Sequence, residues 1–134
     1  MTGERDLVTL LRSMRPVLHP EMYVFATLKP GEEAPPSVAP IMTFREEEGM
    51  TLILLESEAR SIGLAGTFRS RLITLQVHSS LAAVGFLAAV GTRLAEAGLA
   101  VNAVSAYFHD HLFVPAERAE EALATLQSLA AECS

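Results

Sequence analysis

Two short stretches carry residue types that do chemistry. The first is His78-Ser79-Ser80, between the run Arg71–Val77 and the apolar run Leu81–Ala97. Ile73, Leu75 and Val77 alternate with Leu72, Thr74, Gln76 and His78, which is the period of a strand. A polar turn where strand becomes helix presents free amide N–H groups and hydroxyls, a setting that holds a small anion such as a carboxylate. The second stretch is His109-Asp110-His111. Histidines two apart on an extended strand point the same way, and with His78 or Asp110 as a third ligand they have the makings of a zinc site. The spot reads as a hairpin turn, however, where Asp is favoured for its conformation. His111 also has Tyr107 or Phe108 to stack on, so no metal is expected.

Other constellations have plainer readings. Pairing Ser79 or Ser80 with His78 as nucleophile and base fails on geometry, since adjacent turn residues seldom align and no orienting acid is evident. Helix capping is the simpler role for both serines and is compatible with ligand binding. Glu46-Glu47-Glu48 reads as a solvated turn, because neighbouring turn residues rarely converge on one ion. Arg45 and Arg71 offer two-pronged donors for a carboxylate, with surface solvation as the ordinary alternative.

Composition sets the frame for these groups. The chain has 134 residues, half of them hydrophobic, and a formal charge of -6. That supports a real core in one domain or two small fused modules. With ten basic residues and a single lysine, Lys29, no clustered basic surface for nucleic acid is expected. Cys133 is the only cysteine, so no intrachain disulfide or cysteine metal cluster forms. The N-terminus lacks the basic start and apolar middle of a secretory signal, and no apolar run reaches about 18 residues. A soluble, cytoplasmic protein is the expectation.

The elements follow from periodicity. Leu7, Leu10, Leu11 and Met14 form a core-facing stripe on a helix over residues 3–14, with Thr2 as N-cap, Glu4 and Asp6 near its positive end, and Pro16 as its stop. Met22–Leu28 reads as a strand. Lys29–Pro40, with four prolines, reads as a loop, a connector rather than a flap. Ile41–Arg45 and Met50–Leu55 flank Glu46–Gly49 as a hairpin, with Gly49 serving the turn. Glu56–Gly63 reads as a short helix and Leu64–Arg69 as a connector. In the second half, the strand 71–78 leads to a helix over 81–97 with Val84, Leu87, Ala88, Gly91, Leu94 and Ala95 on one stripe and Gly98 as C-cap. Gly85 and Gly91 suggest close approach of a backbone or ligand, or tight packing on a sheet. Leu99–Phe108 and His111–Val114 form a hairpin across His109-Asp110. Pro115 opens a last helix, with Ala119, Ala122, Leu123, Leu126 and Ala130 buried. Strand, helix, strand, strand, helix is most of a ferredoxin-like unit, and the first half holds a looser version.

On these residues a family can be named. Leu72–Leu129 resembles a bacterial group of ACT-domain proteins, through Gln76-Val-His-Ser-Ser-Leu81, Val84-Gly-Phe-Leu87, and Val101-Asn-Ala-Val-Ser-Ala-Tyr-Phe-His-Asp-His-Leu-Phe-Val-Pro115. The first half is similar to that group's first module, through Met14-Arg-Pro-Val-Leu-His19, Tyr23-Val-Phe-Ala-Thr27 and Met42-Thr-Phe-Arg-Glu-Glu-Glu-Gly-Met50. Eukaryotic cytosolic arginine sensors are similar more distantly. The resemblance implies an α+β chain of two ferredoxin-like, ACT-type βαββαβ modules, residues 1–69 and 70–134, with antiparallel sheets covered by helices on one face. It implies a regulatory protein that binds an amino acid or similar small zwitterion and has no catalysis of its own and no cofactor. Carried over by position, the ligand turn is His78, Ser79, Ser80 and Leu81, with Val84 and Gly85 in the first helical turn, and Asn102, Ala103, Val104 and Ser105 as the second wall. Many such modules start the turn with an acidic residue and have glycine before the helix; serines stand in those places here. A homodimer is expected, since pairing of modules would cover the polar strand face at Thr74, Gln76 and His78. The alternatives are an assembly module without ligand and a small metal-dependent enzyme built on His109 and His111.

Overall fold

Asp6 caps the first helix. Its carboxylate accepts from the Thr9 amide at 3.0 Å and from the Thr9 hydroxyl at 2.8 Å, satisfying one of the amides that a helix start leaves open. These bonds hold the carboxyl below its usual range. Helix α1 therefore runs Leu7–Ser13 rather than from residue 3. The computed structural model describes residue 3 and residues 6–134, and the expected cap Thr2 and neighbouring Glu4 lie outside them. Leu10, Leu11 and Met14 are buried as their spacing requires. Strand β1, Arg15–Leu18, follows at once. It was not expected, because Pro16 was read only as a helix stop. Pro16 pairs opposite Leu75, on a strand whose edge position tolerates a residue without an N–H.

The chain divides into two compact units, residues 21–70 and residues 1–20 with 71–134. In this division residues 1–20, expected in the first module, fall in one compact unit with residues 71–134, where α1 joins the core and β1 joins the sheet.

The smaller unit holds β2 (Tyr23–Leu28), β3 (Met42–Arg45), β4 (Met50–Leu55), α2 (Glu56–Ser61) and the first residues of β5 (Thr67–Gln76), in the strand order β3-β4-β2-β5. That is the order of a ferredoxin-like sheet, with residues 29–41 in the place of the first helix. The four prolines there exclude a helix. Instead the loop is pinned by the Ala39 amide, which donates to Glu58 Oε2 at 2.7 Å. Val24, Ala26, Leu52, Leu54 and Ala59 form the core. Gly49 closes the hairpin because a Cβ there would collide with the Leu28 carbonyl. The expected connector 64–69 is shorter than read, since β5 begins at Thr67. Its register against β2 slips between Tyr23 and Phe25. There Phe68 sits at φ 53°, a bulge conformation that its edge-on contact with Phe25, ring centroids 5.8 Å apart, holds in place.

The larger unit orders its strands β1-β5-β7-β6, with β6 at Asn102–Ser105 and β7 at Asp110–Pro115. Helices α3 (Phe86–Glu96) and α4 (Ala119–Glu132) join α1 around Ile73, Leu75, Leu112 and Val114. The predicted helix over 81–97 is corrected to a later start. Gly85, at φ 88°, makes a left-handed turn just before Phe86, and this shifts the buried face to Phe86, Val90 and Leu94. Val84, placed on the stripe by periodicity, is 82% exposed. Gly98, at φ 74°, ends the helix as its spacing required, and Arg118 caps the freed carbonyls of Gly98 at 2.8 Å and Ala97 at 3.2 Å. Both faces of β5 are buried at Leu72, Ile73, Thr74 and Leu75, so the polar face expected to await a partner is already covered at Leu72 and Thr74.

A Cβ at Gly91 would meet no atom within 4 Å, so close approach does not explain this glycine. Gly91→Ala is expected to stabilise the protein by about 1 kcal/mol, and Leu94→Ala, in the packed core, to cost about 2–5 kcal/mol. Urea unfolding of the two variants checks both.

Candidate functional site

Beyond Gln76 the backbone leaves the sheet and folds on itself. The Val77 amide donates to the Leu75 carbonyl at 2.8 Å, Ser79 to Val77 at 2.9 Å, and Ala83 to Ser80 at 2.9 Å. The Ser80 hydroxyl accepts from the Ala82 amide at 3.1 Å. The serines therefore organise a loop over 77–85 and do not cap a helix. Gly3, at φ 92°, lies against this loop so closely that a Cβ would come within 2.6 Å of the Ser80 nitrogen. The expected row of open amides at Ser79–Leu81 is thus partly engaged by the chain itself: Ser79 by Val77, Ser80 beneath Gly3.

A small cavity of about 70 Å³ remains beside the loop and is lined by Ser79, Ser80, Leu81, Ala83, Phe86, Leu87, Ser105 and Asp110. Of the expected ligand residues, Ser79, Ser80, Leu81 and Ser105 come together here. His78, Val84, Gly85, Asn102, Ala103 and Val104 are not among its lining. His78 instead stacks on Phe108, with ring centroids 5.6 Å apart.

Asp110 is the group that sequence reasoning left out of the ligand wall. It was placed in the hairpin turn, but the turn spans Ala106–His109, closed by the Ala106 amide on the His109 carbonyl at 3.0 Å. Asp110 therefore opens β7 opposite Ser105. The residue is 7% exposed. Oδ1 accepts from the Ser105 hydroxyl at 2.6 Å, and Oδ2 from Ser79 at 3.4 Å. Such a carboxylate keeps lone pairs in hand, since two oxygens have about four acceptor sites. The missed signal was the Ser105–Asp110 spacing: with a four-residue turn between them, the two fall opposite each other.

The remaining candidates are used otherwise. His109 and His111 rings sit 6.4 Å apart between centroids, and among the described residues no group of three or more His, Cys, Asp or Glu is placed to hold a metal. Burial holds the His111 imidazole below its ordinary range, and His109 and His19 push the same way while Asp110 opposes them. Ser79 turns to Asp110 rather than to His78, so no serine–histidine pair forms. Arg71 donates from Nε to the His19 carbonyl at 3.0 Å and faces Glu120 at 3.7 Å, a structural employment. Glu46 accepts from the Thr51 hydroxyl at 2.5 Å within its hairpin.

Ser105→Ala removes the short donor to a buried carboxylate and is expected to cost about 1–3 kcal/mol. Restoring a hydroxyl with Ser105→Thr should recover most of it in the same urea titration.

Comparison with known proteins gives a consistent result. Two family models, each described as an ACT domain, match residues 2–71 and 67–128. No curated protein matches the chain. Among solved structures, a protein of unknown function from Vibrio cholerae, described as a possible transport protein, is 44% identical, with a TM-score of 0.84 over 96% of this chain and 99% of that one. A protein from Agrobacterium tumefaciens is similar in fold at 16% identity, with a TM-score of 0.75 over 87% of this chain and 89% of that one. The ligand-free regulatory subunit of aspartate kinase from Thermus thermophilus shares the fold at 12% identity, with a TM-score of 0.63 over 89% of this chain and 97% of that one.

Proposed function

The chain belongs to the ACT-domain family, and on that premise we propose that it is a regulatory protein that binds a free amino acid, or a similar small zwitterion, in the cavity beside α3. The observation that carries this reading is Asp110, a nearly buried residue on the wall of a small cavity, whose carboxylate accepts from the hydroxyls of Ser105 and Ser79 among the described residues. A carboxylate taken out of water calls for a cationic partner. A ligand ammonium supplies one and is held by charge-assisted bonds to Asp110, with Ser105 and Ser79 beside it.

The opposite wall suits the ligand's other groups. Phe86 and Leu87 are the first residues of α3, and the first four amides of a helix have no partner within it. A carboxylate is favoured there by those donors and by the positive end of the helix. This moves the anion-binding role from Ser79–Leu81 to the helix start five residues on, with Ser79, Ser80 and Leu81 kept as walls. Leu81, Ala83 and Leu87 give the wall an apolar stretch that suits an apolar group.

The protein would act without chemistry of its own, in the cytoplasm, by changing its affinity for a partner when ligand is bound. Among the described residues no helix is long and apolar enough to cross a membrane. A homodimer fits the exposed side chains Leu81, Val84, Tyr107 and Phe108, of which Leu81 lines the cavity and which a second copy would cover. The same patch supports the second reading, an assembly module whose surface serves a protein partner alone.

A thermal-shift screen against the twenty amino acids separates the two, because a ligand that binds only the folded state raises the melting temperature. At least one amino acid is expected to do so. Calorimetry on Asp110→Asn should then show affinity lower by about 10–100-fold, the worth of a hydrogen bond to a charged group. No shift with any amino acid leaves the assembly reading standing.

A further inference from the structure

We infer that His19, Thr74 and His111 form a proton-sensitive latch at the point where the chain leaves the larger unit. His19 Nε2 lies 2.9 Å from Thr74 Oγ1, and His111 Nδ1 lies 3.0 Å from the same oxygen. The three residues come from three neighbouring strands: His19 directly follows β1, Thr74 lies in β5 and His111 in β7. None of them lines the ligand cavity, so the latch stands independently of the binding proposal.

One hydroxyl serves two imidazoles only in certain protonation states. It has one proton to give and two lone pairs to offer. With both rings neutral, it donates to the bare nitrogen of one and accepts the N–H of the other. With one ring protonated, that pattern still holds. When both rings are protonated, both become donors and the hydroxyl proton loses its acceptor. Two cations then face each other across a single oxygen, within the range where like charges disfavour each other. Thr74 is 6% exposed, so water has little room to take up the stranded proton.

The titratable groups acting on His111 are His19 at the end of β1, His109 in the hairpin turn and Asp110 beside it on β7. The two histidines resist its protonation and Asp110 favours it. Asp110 is already bonded to Ser105 and Ser79. His109 faces the Val77 carbonyl, with Nδ1 at 3.4 Å. From β5, Arg71 brings a permanent cation to the His19 carbonyl at 3.0 Å, itself paired with Glu120 of α4 at 3.7 Å. On His111 itself, two histidines stand against one carboxylate.

What the latch holds is defined by the chain path. Pro20 is the last residue of the larger unit's first stretch and Arg71 the first of its second. The His19 amide donates to the Leu72 carbonyl at 2.9 Å. The backbone and ring of His19 are therefore fastened together beside the crossing, and the second proton releases the ring.

The test is a histidine-ring NMR titration with amide exchange, from about pH 8 to about pH 5. In the wild type, the His111 ring should titrate below the ordinary imidazole range. The protection factor of the His19 amide, taken against intrinsic exchange that itself slows as pH falls, should drop as His111 takes its proton. In His19→Gln, whose amide still reaches the hydroxyl but takes no proton, the His111 midpoint should rise by about 0.5–1 unit. An unchanged His111 midpoint in that variant overturns the latch. So does a His19 protection factor that ignores the protonation of His111 in the wild type, a measurement that decides the matter even where the variant does not fold.

Discussion

The pairing of β1 with β5, from Arg15 opposite Gln76 to Leu18 opposite Ile73, is the constraint on which the larger unit rests. A ferredoxin-like sheet needs a fourth strand beside its first, and here that place is taken by chain from the N-terminal side of the other unit. The consequences spread from this ladder. It seats Leu10 and Leu11 of α1, and Met14 just beyond it, in the core built by α3 and α4. It sets His19 over Thr74. It also fixes the last residues of β5, from which the loop 77–85 departs toward the cavity.

The cavity depends in turn on a buried charge. Asp110 lies at the start of β7, and its two oxygens tie the β6–β7 hairpin, through Ser105, to the loop after β5, through Ser79. A carboxylate so enclosed stabilises only as long as its donors remain in place. The same enclosure makes it a strong acceptor for an arriving cation, because little water competes. In the proposed function, structural cross-link and ligand anchor would be two aspects of one group.

The smaller unit shows how far the same topology tolerates change. Residues 29–41 replace a helix with a proline-rich loop, yet the strand order survives, because the sheet is closed by β-ladders and the small core at Val24, Ala26, Leu52, Leu54 and Ala59. The bonds from the Ala39 amide to Glu58 and from the Leu55 amide to the same carboxylate give the loop an anchor on α2. The larger unit keeps its two crossover helices, and there a cavity opens between a loop and a helix start.

Local pattern by itself determined a good deal. The stripe Leu7, Leu10, Leu11, Met14, the alternation in β5, the Glu46–Gly49 hairpin and the buried face of α4 at Ala119, Ala122 and Leu126 were all legible, since periodicity depends only on near neighbours. Ser79, Ser80, Leu81 and Ser105 were legible as a wall through family resemblance. Tertiary structure alone decided the rest. The strand at Arg15–Leu18, four residues long and carrying Pro16, is too short to show a period and is defined by its ladder with β5. The start of α3 was set by the left-handed turn at Gly85, which moved the buried stripe onto Phe86, Val90 and Leu94. Asp110 entered the site because a hairpin register places it opposite Ser105 and a loop from 31 residues earlier brings Ser79 to it. Such meetings of distant segments leave no periodic trace in the chain, because the free energy that selects them is gained only when the two segments touch.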